Sequence, residues 1–208
     1  MATTGLLMVL FVVMHLLGNL TIFAGPNGIN AYAEKLHMLG GLVWLTRAVM
    51  VTAVVLHLVI SVQITIENQA ASPTRYAVDR KLKATFAGRT MIWTGLILGA
   101  FIVFHLLQFT FRATPGLVLG TDAEGRFDVF SMVRAAFQAA PVALLYLAAV
   151  VGLFLHLSHG VQSTFQSVGL NNSTTLPRFG AGGRLLSLVF LIGYGSIPAL
   201  ILFGVLAK

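Results

Sequence analysis

Five apolar stretches, each long enough to cross a bilayer as a helix of about 20 residues, leave this chain of 208 residues few choices of fold. They run over about 4 to 24, 42 to 66, 90 to 112, 138 to 166 and 185 to 206. In hydrocarbon a backbone must pair its own N–H and C=O groups, so segments of this kind are helical. Composition agrees: 57% of the residues are hydrophobic and 9% charged, where a soluble domain carries about 25% charged residues. The expected architecture is an all-α integral membrane protein, a five-transmembrane-helix bundle forming a single domain over 1 to 208.

The chain has no cysteine. Disulfides, thiolate metal sites, covalently attached c-type heme and cysteine-ligated iron–sulfur clusters are therefore excluded within it, and a metal here must be held by histidine. The formal net charge of +7 raises nucleic acid as a partner, but the basic residues are spread over short loops rather than gathered in one patch. No nucleic-acid partner is expected, and the charge reads as membrane orientation. The segment from Glu67 to Arg89 holds Arg75, Arg80, Lys81, Lys83 and Arg89 against Glu67 and Asp79, which places it on the cytoplasmic side. The segment from Ala113 to Arg134 sets Asp122, Glu124 and Asp128 against Arg126 and Arg134 and suits the outer side. Arg178 and Arg184, with no acid nearby, return the last connecting loop to the inside. The expected topology in the inner (plasma) membrane is then N-terminus cytoplasmic, C-terminus outside. Gly25, Pro26, Asn27 and Gly28 suit a tight re-entry between the first two spans. The sequence opens at MATTGLLMVL, almost inside the first span, which leaves room for a cytoplasmic leader ahead of it. With no positive charge in that opening, a cleavable signal peptide is not expected.

Five of the six histidines, His15, His57, His105, His156 and His159, fall within the expected spans, and His37 falls between the first two. An ionisable group in a membrane helix is costly and needs a partner. His15 stands about nine residues before the outer end of the first span and His105 about seven before that of the third, so both lie roughly 10 to 14 Å below the outer surface. His57 and His156 stand about nine and ten residues before the inner ends of the second and fourth spans and share an inner depth. Two imidazoles at one depth on different helices can ligate a low-spin heme from both faces. Two layers of this kind make two stacked b-type hemes. A lone histidine is more often a hydrogen-bonding helix contact, but matched depth on four helices is hard to reach by accident. A proton relay would call for intramembrane carboxylates, and apart from Glu67 at an inner edge the spans hold none. His156 and His159, three residues apart, share a helix face, and either can approach the inner layer. The pair His105 and Gln108 repeats that spacing, which favours the first member of each pair.

The stretches HLLGNLTIFAG (15 to 25), NAYAEKL (30 to 36), RTMIWTGLILGAFIVFHLLQFTFR (89 to 112) and HLSHGVQSTFQSVGLNN (156 to 172) resemble the cytochrome b558 family of succinate dehydrogenase and fumarate reductase membrane anchors, of the single-chain, five-helix, two-heme type. The resemblance covers essentially the whole chain. It implies one heme ligand on each of the first four spans, matching His15, His57, His105 and His156, and none on the fifth. It places the fourth ligand four residues before a glycine, which points to His156 ahead of Gly160. The implied partners are a flavoprotein subunit carrying FAD, which oxidises succinate, and an iron–sulfur subunit, which passes the electrons on. The implied substrate is a quinone, with menaquinone suited to reduction at the outer heme. Electrons would then run from the inner heme to the outer one, with no dicarboxylate chemistry in this chain. A higher oligomer of the complex stays open.

Heme propionates need donors. Arg89, Ser163 and His159 are candidates for the inner heme, and Arg47 and Arg134 for the outer, although arginines at helix ends also snorkel to the interface unaided. Candidates for a quinone site are Asn30, Glu34 and His37 on the outer side and Trp93, with Arg89 and Ser163, on the inner. Trp44 and Trp93 also read as interfacial belt residues, and Gly18, Gly95 and Gly99 as helix-packing positions that leave room for a flat macrocycle. Three alternatives share parts of this pattern: a fumarate reductase anchor, a di-heme anchor of a hydrogenase or formate dehydrogenase, and a non-heme transporter. The broken helices and central charged site of the last are not visible.

Overall fold

A computed structural model describes residues 1–71, 85–170 and 172–206. The basic cluster Arg75, Arg80, Lys81 and Lys83, with Asp79, lies outside the described residues. Among the described residues the chain is helical, with one isolated bridge between Thr121 and Phe127 and no strand. The helices are α1 (Ala2–Leu20), α2 (Gly25–Met38), α3 (Gly41–Ala71), α4 (Phe86–Arg89), α5 (Met91–His105), α6 (Val129–Gln138), α7 (Ala140–Ser167) and α8 (Thr175–Leu202). A 3-10 segment, Thr21–Ala24, joins α1 to α2, and a π-helical turn, Leu106–Thr110, extends α5.

Five helical segments are long and apolar enough to cross a membrane: Ala2–Met38, Gly41–Ala71, Met91–Thr110, Ala140–Ser167 and Thr175–Leu202, with mean hydropathy between 1.9 and 2.3. Between 6% and 28% of each apolar window is buried by the chain itself, so most of that surface faces outward. Outward apolar side chains such as Leu10, Val55 and Ile97 demand a hydrocarbon surrounding. The chain is thus a multi-pass membrane protein whose solvent is the lipid bilayer.

Four spanning helices close a ring in which α1 packs on α3, α3 on α5, α5 on α7, and α7 back on α1. The fifth, α8, lies outside the ring, chiefly against α7. That contact is close because glycines line it: a Cβ at Gly183 would stand 3.0 Å from Val161 Cβ, and one at Gly180 would stand 2.7 Å from Gln162 Oε1. These glycines are part of the packing surface of α8, which starts ten residues before the expected 185. Arg178 and Arg184 therefore belong to the helix, and the last connection shrinks to the residues between Ser167 and Thr175.

The first connection also differs from expectation. Gly25–Gly28 makes no tight re-entry. Gly25 takes a left-handed φ of 78°, and Pro26 occupies the first turn of α2, where its missing N–H is no loss. The reversal instead comes at Gly40, with φ 51°. In between, α2 packs on α6 and is pinned to the 113–128 segment through Asn30. Asn30 is fully buried; its amide donates to Asp122 (3.1 Å) and Asp128 (3.2 Å), and its carbonyl accepts from Phe130 N–H (3.0 Å). Arg126 closes this cap, with Nη2 2.7 Å from Asp122 and Nη1 donating to Asn27 at 2.8 Å, and it also pairs with Glu124.

The Arg126 hydrogen bond holds the Asp122 carboxyl down to about 2, from an ordinary 3.8. A carboxylate whose folded pKa is depressed stabilises the cap above its unfolded value, and that stability is lost as pH falls through the folded value. The cap is expected to keep its amide protection between pH 7 and 5 and to lose it progressively from about pH 4 toward 2. Hydrogen exchange at the Asp122 and Gly125 amides checks this; loss already at pH 5 would place the titrating group elsewhere.

Candidate functional site

The ring of helices sets histidines across its two diagonals. His15 on α1 faces His105 at the end of α5, with ring centres 5.9 Å apart and planes at 88°. His57 on α3 faces His156 on α7, with centres 6.5 Å apart and planes at 64°. Helices α1 and α5 are not ring neighbours, nor are α3 and α7, so each pair reaches across the bundle rather than along one helix contact. His15 and His105 each stand five residues before a helical segment ends, at Leu20 and Thr110. The other pair lies at the opposite end, where α1 begins: Thr4 touches His57. Thr4 and His15 are eleven residues apart on α1, which separates the two layers by about 16 Å at 1.5 Å per residue.

Three of the four imidazoles are fixed by hydroxyls on a neighbouring helix. His57 Nδ1 lies 3.0 Å from Thr4 Oγ1, His156 Nδ1 3.1 Å from Thr94 Oγ1, and His105 Nδ1 3.1 Å from the Tyr146 hydroxyl. Each hydroxyl has one hydrogen and spends it elsewhere: Thr4 on Met1 O (2.9 Å), Thr94 on Thr90 O or Met91 O (each 3.1 Å), and Tyr146 on Gln108 Oε1 (2.8 Å). With each hydroxyl hydrogen on its carbonyl partner, the hydroxyl oxygen is placed to accept from Nδ1–H, the tautomer this geometry favours in all three rings. The lone pair is left on Nε2, the arrangement that metal-ligating histidines adopt when a second group fixes the tautomer. His15 differs: its ring stacks on Phe11 (5.4 Å between centres, planes at 14°) and approaches Tyr194.

Glycines seat two of the rings. A Cβ at Gly95 would stand 3.3 Å from His156 Cε1 and one at Gly5 would stand 3.5 Å from His57 Cε1. Gly18 instead admits the Tyr32 ring, which binds α2 to α1, and Gly99 faces Leu58. A π-turn starts one residue after His105, a local widening that recurs at functional sites.

The pairs fit two axial ligands of one metal. With a metal–imidazole bond of about 2.0 Å and about 1.1 Å from nitrogen to ring centre, rings on opposite sides of one metal have centres about 6.2 Å apart. The separations of 5.9 and 6.5 Å bracket that value. Each pair offers two nitrogens, the number that completes a metal already held by four in-plane donors.

The remaining candidates fall in several places. His159 is not the ring that faces His57; its Nε2 lies 3.2 Å from Ser163 Oγ, and its ring edge lies against Gly88, beside α4. Arg89 is exposed on α4, and Trp93 is 66% exposed at the start of α5, a belt-like position. Arg47 is exposed with its guanidinium 4.8 Å over Trp44, and Arg134 is half-buried on α6. Asn30, expected near a quinone, has its amide and carbonyl committed to the cap described above. Glu34 and His37 line an open cleft of about 580 Å³ with Arg112, Arg126 and Phe127. Its floor is Phe127, 3.8 Å beneath the Arg112 guanidinium. Thr4, Thr94 and Tyr146 were not expected from sequence. Their signal there is a hydroxyl on a residue inside an otherwise apolar span.

No family model matches the chain, and no curated protein or solved structure matches it.

Proposed function

We propose that this chain is a di-heme cytochrome b, the membrane-anchor subunit of a succinate:quinone oxidoreductase, carrying electrons from an iron–sulfur partner to a quinone. The observation that supports it most is the set of two diagonal imidazole pairs, three of whose rings rest through Nδ1 on a hydroxyl of a neighbouring helix. Two hemes b bound there supply a pair of one-electron centres, one toward each membrane face, which is the chemistry that transfer between a partner at one face and a quinone requires.

The protein's own part is orientation and exclusion. His57 and His156 would hold the layer on the N-terminal side of α1, the cytoplasmic face if the basic excess between the second and third spans follows the positive-inside rule. His15 and His105 hold the outer layer, under the cap made by α2 and the 113–128 segment. Thr4, Thr94 and Tyr146 fix ring orientation, and the surrounding apolar side chains keep water from the rings. On the outer side, Glu34 and His37 offer polar groups in an open cleft where a quinone headgroup could exchange protons. The resemblance to the cytochrome b558 anchors supplies the partners: an FAD-bearing flavoprotein and an iron–sulfur subunit. Menaquinone is the acceptor that suits reduction at the outer layer.

The test is a reduced-minus-oxidised optical spectrum of the purified protein with heme quantified per chain. Two hemes with b-type bands are expected. One heme would remove a pair, and none would overturn the reading. The same preparation, with its co-purifying subunits, separates succinate oxidation from fumarate reduction by the ratio of the two rates.

A further inference from the structure

We infer that Tyr146, through His105, sets the electron-donating strength of one outer-heme ligand; the inference rests on the di-heme reading above. Tyr146 lies six residues into α7, about 9 Å from the helix start at 1.5 Å per residue, and it points inward, 7% exposed. Its ring is clamped edge-to-face by Phe101 and Phe137, each with centres 4.8 Å away, so the hydroxyl cannot swing to another partner. That hydroxyl stands between two groups, 2.8 Å from Gln108 Oε1 and 3.1 Å from His105 Nδ1. Gln108 is itself 2% exposed within the π-turn, where an unpaired carbonyl would be costly, so it takes the phenol hydrogen. The phenol oxygen then accepts from His105 Nδ1–H. Donating to Gln108 polarises the hydroxyl and makes its oxygen a better acceptor than an isolated one.

A buried three-member chain of this kind has no counterpart at the other rings. His57 and His156 rest on threonines that donate to main-chain carbonyls, and the hydroxyl of Tyr194, beside His15, is spent on Val12 O at 2.7 Å. The two axial positions of the outer layer are thus unequal: one imidazole is strengthened by a hydrogen-bond relay and the other is stacked on Phe11. An imidazole that donates from Nδ1 to a strong acceptor is a more basic ligand at Nε2. A more basic ligand favours the oxidised metal and lowers its potential.

Tyr146→Phe keeps the ring and its packing and removes only the acceptor; Gln108→Leu keeps the hydroxyl and removes the group that polarises it. Redox titration of the purified complex should show the outer heme moved to higher potential in Tyr146→Phe, moved less in Gln108→Leu, and the inner heme unmoved in both. Nitrogen NMR of the heme-free chain with isotopically labelled histidine should show His105 as the Nδ1–H tautomer in the native protein and as a tautomer mixture in Tyr146→Phe. Native chain without that tautomer, or both hemes shifted alike, or neither shifted, overturns the inference. Should Tyr146→Phe fail to assemble, Gln108→Leu with both potentials native overturns it equally. A native chain that binds no heme sinks the di-heme reading, and the NMR result then stands alone for or against the tyrosine's hold on the ring.

Discussion

On the di-heme reading, replacing His57 or His156 with leucine is expected to remove one heme and leave the other spectrally intact. On that reading each pair would supply both protein nitrogens of one heme, and the layers are about 16 Å apart along α1, so loss in one would not touch the other. The two variants should lose the same spectral component. His15→Leu and His105→Leu should both lose the remaining one. His159→Leu should keep both hemes, because the ring that faces His57 is His156. Heme per chain and low-temperature spectra of the five variants decide the matter: if His57→Leu and His156→Leu lose different components, the diagonal pairing is wrong, and if His159→Leu loses one, the inner ligand is misassigned.

Asn30→Ala carries the second large effect. The side chain ties two carboxylates and the Phe130 amide at a fully buried position, and its loss leaves that N–H and parts of both carboxylates unpaired. Unpaired buried groups cost about 1–3 kcal/mol each, partly recovered by relaxation, so the cap should lose about 2–4 kcal/mol. Faster hydrogen exchange at Asp122, Gly125 and Phe130 measures it directly, since opening of a local unit reports its own free energy. On the di-heme reading, heme content at the His57–His156 layer should stay native. Unchanged exchange combined with a raised KM for quinone would instead make Asn30 a quinone contact and not a structural tie.

The existence of five spans was legible because continuous apolar runs have one solution in lipid. Their ends were not. Gly25–Pro26 marked a true boundary, but one between a 3-10 segment and a new helix, and local sequence cannot tell a chain reversal from a helix restart when the deciding partner is Asp122, far along the chain. The expected fifth span starts at 185, ten residues late, because Gly180 and Gly183 contribute little hydropathy and their packing role depends on Val161 and Gln162 of a different helix. The histidine pairs could be anticipated from depth alone, since a rise of 1.5 Å per residue converts position into height. Depth does not say which faces point inward, and although a hydroxyl inside an apolar span can be seen in the sequence, its pairing with a ring 41 to 62 residues away cannot.

Partners in the two diagonal pairs alternate along the chain: first span with third, second with fourth. A hairpin of consecutive spans among the first four therefore holds one imidazole from each pair and completes neither. During synthesis the ribosome must deliver three spans before the first pair can meet and four before the second can. Chain order thus dictates assembly order, with the His15–His105 pair able to meet while α7 is still being translated. A nascent chain arrested between α5 and α7 would hold one finished layer and a solitary His57, whereas one arrested after α3 would hold none.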